Sequence, residues 1–292
     1  MLKKRASPED RGRLVAFPAS ILSAWVDQCL IHAKQPADFY SGARKIIRCK
    51  TLQFPALDDS LKLEHAGYTK NKMSHLRRGY LHEESRNVAV ELWERRKNQG
   101  TYGSVGFTTY NHFLKSDPNK KSKRGSVMGP CIQSVVLTLD QKGESYTIDL
   151  FYRTTELFKK FPADLVFLRD ELLTPFSFKG LKGGTINCHF ANITIHPMYF
   201  VILIPSIKDP INQMDIIEKV DPYFYKWLVK WTARYLCKEH RRGIEKFAQA
   251  MRVHDDAKER ITGKFRKDLE TYLRENHPGF RNDYEEDEDA DE

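Results

Sequence analysis

Two segments in the middle of the chain show the alternation of hydrophobic and polar residues that is typical of β-strands. Residues 132–139 (IQSVVLTL) and 146–153 (YTIDLFYR) are rich in β-branched and aromatic side chains, and residues 140–143 (DQKG) form a polar turn between them. We therefore predict a β-hairpin. Cys131 follows a Gly-Pro corner directly before the first strand, and Arg153 stands at the end of the second.

A helix is predicted after this hairpin. Pro162 suits the first turn of a helix, and Leu165, Leu168 and Leu172 follow at helical spacing. The pattern places Asp164 in the first turn, where backbone N–H groups point outward and favour a negative charge. Its carboxylate is interpreted either as a capping group or as a group that binds a ligand.

A further strand is predicted in residues 186–196, INCHFANITIH. Its period of two puts Asn192, Thr194 and His196 on one face. The other face carries the apolar residues Ala191, Ile193 and Ile195. Three polar groups therefore project together from this strand.

Helical patterns flank these strands, so the chain combines helices and strands in an α+β fold. The first helix is marked by apolar residues at helical spacing: Ile21, Leu22, Trp25 and Cys29. Ser85 is predicted to cap a second helix, with Val88 and Leu92 on its apolar face. From Pro210 onward the pattern is helical again.

Changes in composition divide the chain into four regions. They are a flexible basic arm at 1–17, an α/β core at 18–209, a helical C-terminal region at 210–280 and a disordered acidic tail at 281–292. The formal charge of +9 conceals this asymmetry. The tail has eight acids and one arginine, so residues 1–280 carry 47 − 31 = +16. Such a field favours anionic partners, either nucleotides or nucleic acid.

The remaining composition narrows the class of protein. Five cysteines at scattered positions indicate reduced thiols, and neither they nor the histidines show the spacing of a metal site. No apolar run is long enough to span a membrane, and the first residues do not resemble a signal peptide. We expect a cytoplasmic protein.

Cys131 is the best candidate for chemistry. A lone cysteine is usually a small core residue, but a cationic neighbour that lowers the thiol pKa makes it a nucleophile. The hairpin brings Arg153 to this neighbourhood, and its guanidinium can also bind a phosphate with two hydrogen bonds.

These residues resemble the thymidylate synthase and deoxycytidylate hydroxymethylase family, over roughly residues 85–203. The resemblance implies that family's fold, a mixed β-sheet packed by helices. Pro130-Cys131 is similar to the corner that supplies the nucleophile, and Arg153-Thr154 to the pair that binds the nucleotide phosphate. Asp164, eleven positions after the arginine, stands where the family reads the pyrimidine. Glu156 stands where the family has an aspartate, which implies a contact with the cofactor.

The resemblance extends more loosely to other positions. Asn192, Thr194 and His196 lie where the family binds the nucleotide, with Thr194 and His196 in place of a His-x-Tyr pair that holds the sugar hydroxyl. Tyr102 is similar to the tyrosine of a Tyr-Gly turn, and Glu91 to the catalytic glutamate. The phosphate-binding arginine segment of the family resembles the residues Lys123 and Arg124.

The resemblance implies a homodimeric enzyme that modifies C5 of a pyrimidine nucleoside monophosphate, with 5,10-methylenetetrahydrofolate as one-carbon donor. Cys131 adds to C6, and the product carries a methyl or a hydroxymethyl group. Because a carboxylate accepts a hydrogen bond from the amino group of cytosine, Asp164 indicates a cytidylate, dCMP or CMP. The alternative is a catalytically decayed member of the fold that binds nucleic acid or another partner through its basic surface.

Overall fold

The computed structural model describes residues 20–42, 44–66, 68, 73, 76–77, 82–109, 131–140, 142–181, 183–197, 199–200, 210–236 and 263–276. The predicted arm at 1–17 and the predicted tail at 281–292 lie outside these residues. Among the described residues, no helix combines the length and apolar character that a membrane span requires.

Six helices, six strands and two short helical turns are found in the described residues. In chain order they are α1 (Ile21–Lys34), β1 (Phe39–Ser41), β2 (Arg44–Pro55), a 3₁₀ turn (Leu63–Ala66), α2 (Glu83–Gln99), β3 (Gly103–Thr108), β4 (Ile132–Leu139), β5 (Ser145–Glu156), α3 (Lys160–Phe167), a π-helical turn (Leu168–Leu172), β6 (Gly183–Ile195), α4 (Pro210–Val220), α5 (Pro222–Leu236) and α6 (Gly263–Asn276).

The strands form one sheet in the order β1-β2-β6-β5-β4-β3. Only the central pair β5 and β6 is parallel, and α3 lies in the connection between them, whereas the other pairs are antiparallel. A parallel pair needs such a crossover, because a short turn cannot return the chain to the same end of the sheet. The predicted α+β fold, a mixed sheet packed by helices, is confirmed.

The predicted hairpin is also confirmed, and local turn chemistry explains it. Gly143 adopts a positive φ of 65°, and its N–H donates to the carbonyl of Asp140 at 3.0 Å. The Asp140 carboxylate accepts from the Glu144 N–H and the Ser145 hydroxyl, both at 2.8 Å. These bonds are made within the turn, so the sequence alone was sufficient to predict it.

The core lies between one face of the sheet and the helices. Phe161 of α3 packs against Phe54, Tyr152 and Phe190 of three neighbouring strands, with ring centroids 5.3–5.8 Å apart. The opposite face of the sheet is more exposed. There Phe151 stacks on the ring of His189 at 4.8 Å.

The strands β2, β5 and β6 are irregular at neighbouring positions, which we call the irregular level of the sheet. Both Tyr152 and Thr155 of β5 are buried, as are Phe190 and Ile193 of β6, so the alternation of buried and exposed positions breaks in both strands. In β2, Cys49 adopts a positive φ of 48°. Such breaks are typical of β-bulges, which turn a side chain to a new direction.

The prediction for α2 was wrong in two respects. Its N-cap is His82, whose Nδ1 accepts from the Ser85 N–H at 3.2 Å, and the Ser85 hydroxyl binds the N–H of a neighbouring strand instead. Its buried residues are Ala89 and Trp93, whereas Val88 and Leu92 are exposed. The helix buries the large indole of Trp93 rather than the aliphatic pair, because Trp93 contacts residues that are distant in sequence.

Candidate functional site

The candidate site lies at the carboxyl ends of the parallel strands β5 and β6. Glu156 is the last residue of β5, and its carboxylate accepts the Lys159 N–H at 2.7 Å and the His196 N–H at 3.1 Å. The side chain is buried, and this burial raises the pKa of Glu156 to about 7 because it disfavours the charged form. The group can therefore exchange a proton near neutral pH.

Two tyrosines and a lysine surround this carboxyl group. The Lys159 ammonium lies 5.2 Å from the ring centroid of Tyr68 and 4.8 Å from that of Tyr199. Burial raises the pKa of Tyr199, and the charge of Glu156 raises it further. Both phenols therefore stay protonated at neutral pH and can donate hydrogen bonds.

Tyr68 brings three of the residues predicted from the sequence together. Burial raises the pKa of Tyr68, and the nearby acidic groups of Asp164, Tyr199, Glu156 and Cys131 raise it further. An electrostatic effect of this kind requires that the groups lie close to the phenol. We call this group of residues the Tyr68 cluster: Tyr68, Cys131, Glu156, Lys159, Asp164 and Tyr199.

Asp164 lies deeper in the fold than the sequence indicated. Because α3 begins at Lys160, Asp164 is in its second turn, and no acid stands in the first turn, so the prediction of a first-turn or capping role was wrong. Only 2% of Asp164 is exposed. Its charge also raises the pKa of the buried thiol of Cys188, which belongs to β6. The carboxyl group thus lies between the helix and the sheet.

Cys131 immediately precedes β4 and is half-buried against the core. Its carbonyl accepts the Arg153 N–H at 3.0 Å, which fixes the two backbones side by side. Arg153 is exposed and lines an open cavity of about 440 Å³ at the irregular level of the sheet, together with Lys50, Thr51 and Gln133. Two cations, a hydroxyl and an amide around one cavity can bind a phosphate.

The other residues predicted to bind the nucleotide have different surroundings. Thr154 and Asn192 are opposite each other in the parallel pair of strands. The Thr194 hydroxyl donates to the carbonyl of Thr155 at 2.8 Å. Because this hydroxyl already binds the backbone, it is less available to a ligand than the sequence implied.

His196 follows β6 and has an aromatic environment. Its ring centroid lies 5.5 Å from that of Tyr199 and 5.1 Å from that of Trp231. Burial lowers the pKa of His196 to about 4, and the positive charge of Arg44 contributes in the same direction. The imidazole is therefore neutral at physiological pH.

The other predicted site residues are not brought to the cluster by any described contact. Glu91 lies on the exposed side of α2. Tyr102 is 59% exposed in the turn between α2 and β3, where its carbonyl accepts from Arg96 at 3.3 Å. Lys123 and Arg124 lie outside the described residues.

Sequence reasoning missed Tyr68, Lys159 and Tyr199. Tyr68 and Tyr199 come from segments without a recognisable period, so no local pattern marked them. Lys159 could have been found, because it stands three residues after Glu156, at the spacing at which a side-chain carboxylate accepts a backbone N–H. The signal was weak because glutamate is not a typical capping residue.

No protein-family model and no curated protein sequence matches this chain. Among solved structures, the chain is similar to the crystal structure of thymidylate synthase from T4 phage, with a TM-score of 0.36 and 10% sequence identity. The match covers 60% of this chain and 76% of that chain. Membership of the deoxycytidylate hydroxymethylase family stays a prediction.

Proposed function

We propose that this protein transfers a one-carbon unit to C5 of a pyrimidine nucleotide, with a cytidylate as the preferred substrate. One observation supports this proposal above the others. The resemblance implied Cys131 as nucleophile, Glu156 as cofactor-side carboxyl and Asp164 as base reader, and all three lie close enough to the buried phenol of Tyr68 to raise its pKa.

The Cys131 thiolate is the proposed nucleophile. Its sulfur forms a bond to C6 of the pyrimidine, and the electron pair of the C5–C6 double bond moves to C5, which becomes a carbanion whose charge is delocalised through C4 onto N3 of the cytosine ring. Arg153, whose backbone is hydrogen-bonded to that of Cys131, is proposed to bind the nucleotide phosphate at the cavity that its side chain lines.

Asp164 is the proposed reader of the base. A carboxylate accepts a hydrogen bond from the exocyclic amino group of cytosine, whereas uracil presents a carbonyl oxygen at the same position. Because Asp164 is buried, an unmatched partner would leave a carboxylate without its hydrogen bond, and this cost gives discrimination. Tyr68 can complete the contact as a donor to the base.

The proposed one-carbon donor is 5,10-methylenetetrahydrofolate, which supplies an electrophilic methylene group when bound. Glu156 does not fit the role of its direct ligand, because the side chain is buried and both oxygens already accept backbone N–H groups. We propose instead that Glu156 stores a proton beside the nucleotide, as its pKa near 7 allows. The cluster residues therefore account for the reaction as far as the C5 carbanion.

We also propose a homodimer. The sheet face opposite the core carries Phe151, which is 42% exposed and stacked on His189. A second copy of the chain packed on this face would bury that apolar surface. It would also lie near Arg153, which shares the face.

The proposal is tested by release of tritium from C5-labelled dCMP, dUMP and CMP, measured with and without methylenetetrahydrofolate. We expect release from dCMP or CMP by the natural chain and none by Cys131→Ala, with Cys237→Ser as the control that removes a different thiol. Asp164→Asn should shift the preference toward dUMP, because an amide complements uracil. Absence of release from all three nucleotides, or equal release by Cys131→Ala, would contradict the proposal.

A further inference from the structure

One face of the helix α5 consists only of aromatic and basic residues. Phe224, Leu228, Val229 and Ala233 are buried against the rest of the fold. Tyr225 and Thr232 are buried as well, and the described residues on the opposite arc between Tyr223 and Arg234 are exposed or half-buried and include no acidic residue. We call these residues the α5 strip: Tyr223, Lys226, Trp227, Lys230, Trp231 and Arg234.

Cations and rings alternate along this strip in direct contact. The Lys230 ammonium lies 4.8 Å from the ring centroid of Trp227, and the Arg234 guanidinium lies 5.2 Å from that of Trp231. Tyr223 and Trp227 are edge-to-face at 6.3 Å. Because successive rings are four residues apart on the helix, they advance by about 6 Å along its axis.

The strip has two defined ends. At one end Tyr223 packs against Tyr40 at 4.6 Å, beside an open cavity of about 590 Å³ that Tyr223 and Trp227 help to line. At the other end Trp231 contacts His196 at the candidate site. The Trp231 Nε1 is buried, and it has no hydrogen-bond partner within the described part of the chain.

Acidic residues occur beside the strip, but most of their charge is already bound. Glu218 and Asp268 line the same cavity, and each accepts from the Lys264 ammonium at 2.7 Å. Asp268 also accepts from the Tyr225 hydroxyl at 2.8 Å. Glu275 is the third acid of this lining. The lysines and the arginine of the strip form no described ion pair with any of them.

We propose that the α5 strip is a binding surface for single-stranded nucleic acid. Unpaired bases offer flat faces that stack on aromatic side chains, and the phosphates between them are bound by neighbouring cations. A duplex hides its base faces, so the three rings favour a single strand. The charge of +16 on residues 1–280 draws a polyanion to this surface.

This inference does not rest on the proposed transferase activity. It has a consequence for that activity, because a strand on the strip would pass beside His196 and present a pyrimidine to the candidate site. The substrate base would then belong to a polynucleotide. Deaminases and other enzymes modify bases within single strands in this way.

The test measures fluorescence anisotropy of a labelled oligothymidylate about twelve nucleotides long, a length that fits a single-strand site, with the full chain at several salt concentrations. We expect binding that weakens as salt rises. Trp227→Leu, which removes the ring but keeps apolar bulk, should weaken binding roughly tenfold, and Trp227→Tyr should restore most of it. Lys226→Gln, Lys230→Gln and Arg234→Gln together should reduce the slope of log K against log salt concentration by about 2, because each lost phosphate contact on a single strand contributes about 0.7.

The matched control removes three exposed cations elsewhere, by Arg95→Gln, Lys267→Gln and Arg274→Gln. This control variant should still bind the oligonucleotide through the rings of the α5 strip. Circular dichroism should show that all variants are folded. The proposal is overturned if the natural chain does not bind the oligonucleotide, or if Trp227→Leu binds as tightly as Trp227→Tyr. It is also overturned if a duplex or polyglutamate binds more tightly through the same residues.

Discussion

The Glu156 carboxyl group accepts a hydrogen bond from the backbone N–H of His196, and the pKa values of the two side chains are shifted in opposite directions. The pKa of Glu156 is raised from 4.5 to about 7, and that of His196 is lowered from 6.5 to about 4. Burial is the main cause in both cases, because each group is neutral in its buried form. Their effects on the pH dependence of stability therefore have opposite signs.

Between pH 4.5 and 7 the unfolded chain loses the Glu156 proton while the folded chain keeps it, so this group lowers the free energy of unfolding as pH rises. Glu156→Gln removes that effect. The stability of the variant relative to the natural chain should rise by about 3 kcal/mol across this window, since each of the 7 − 4.5 = 2.5 pKa units is worth about 1.4 kcal/mol. Urea unfolding at several pH values measures the difference.

The control for this prediction is Glu91→Gln, which changes an exposed glutamate of α2. Because this side chain is exposed, the substitution tests whether the effect of Glu156→Gln depends on burial. His196→Asn should give the opposite slope to Glu156→Gln between pH 4 and 6.5, because the unfolded state binds the histidine proton and the folded state does not. A flat difference for Glu156→Gln would contradict the assignment of a raised pKa.

At the same scale, the resemblance of short sequence motifs singled out Cys131, Glu156 and Asp164 but not their environment. Asp164 was predicted to lie in the first turn of α3 because the sequence does not fix the residue at which the helix begins. A start at Lys160 places it in the second turn instead. Its burial depends on the sheet that α3 covers, and the sequence near Asp164 carries no information about that sheet. Tyr68 and Tyr199 reach the cluster only through tertiary packing.

Among the elements, the hairpin was predictable and the face of α2 was not. The hairpin depends on hydrogen bonds between residues at most five apart, around Asp140. The orientation of α2 depends instead on Trp93, whose indole N–H donates to the carbonyl of Ser177 at 3.0 Å and whose ring contacts Phe176 and Phe178. Those partners are more than eighty residues away, so the apolar pair Val88 and Leu92 gave the wrong face.

This orientation of α2 gives a direct prediction. Trp93→Ala removes a buried indole and leaves a cavity, and should lower the free energy of unfolding by about 3–5 kcal/mol. Leu92→Ala changes an exposed side chain on the same helix, and should change stability by about 0.5 kcal/mol or less. Urea unfolding of the two variants distinguishes the faces. A larger loss from Leu92→Ala than from Trp93→Ala would contradict this orientation and support the predicted one, in which Val88 and Leu92 face the core.

At the scale of the whole molecule, a buried ion pair connects the sheet to the C-terminal helices. The Lys45 ammonium of β2 is inaccessible to solvent and donates to the Asp221 carboxylate and to the Ala33 carbonyl, both at 3.0 Å. Asp221 also accepts the Phe224 N–H at 3.0 Å in the first turn of α5. This pair crosses residue 210, where composition predicted a boundary between the core and a helical region.

Breaking this pair should destabilise the molecule as a unit. Lys45→Met leaves the Asp221 carboxylate buried without its cation, and Asp221→Asn leaves the Lys45 ammonium without its anion, so each should cost about 3–5 kcal/mol in urea unfolding. The double variant should cost less than the sum, because it leaves no unpaired charge. Additive losses would mean that the two groups do not interact.

The same unfolding curves test the predicted boundary at residue 210. Because the Lys45 ammonium binds both the Ala33 carbonyl and the Asp221 carboxylate across it, tryptophan fluorescence and circular dichroism of the whole chain should report one transition. In Lys45→Met this connection is lost, and the part of the tryptophan fluorescence that comes from Trp227 and Trp231 should change at lower urea than the circular dichroism signal. Two separate transitions in the natural chain would show instead that the helical region folds independently, and that the buried pair does not couple the strip on α5 to the sheet.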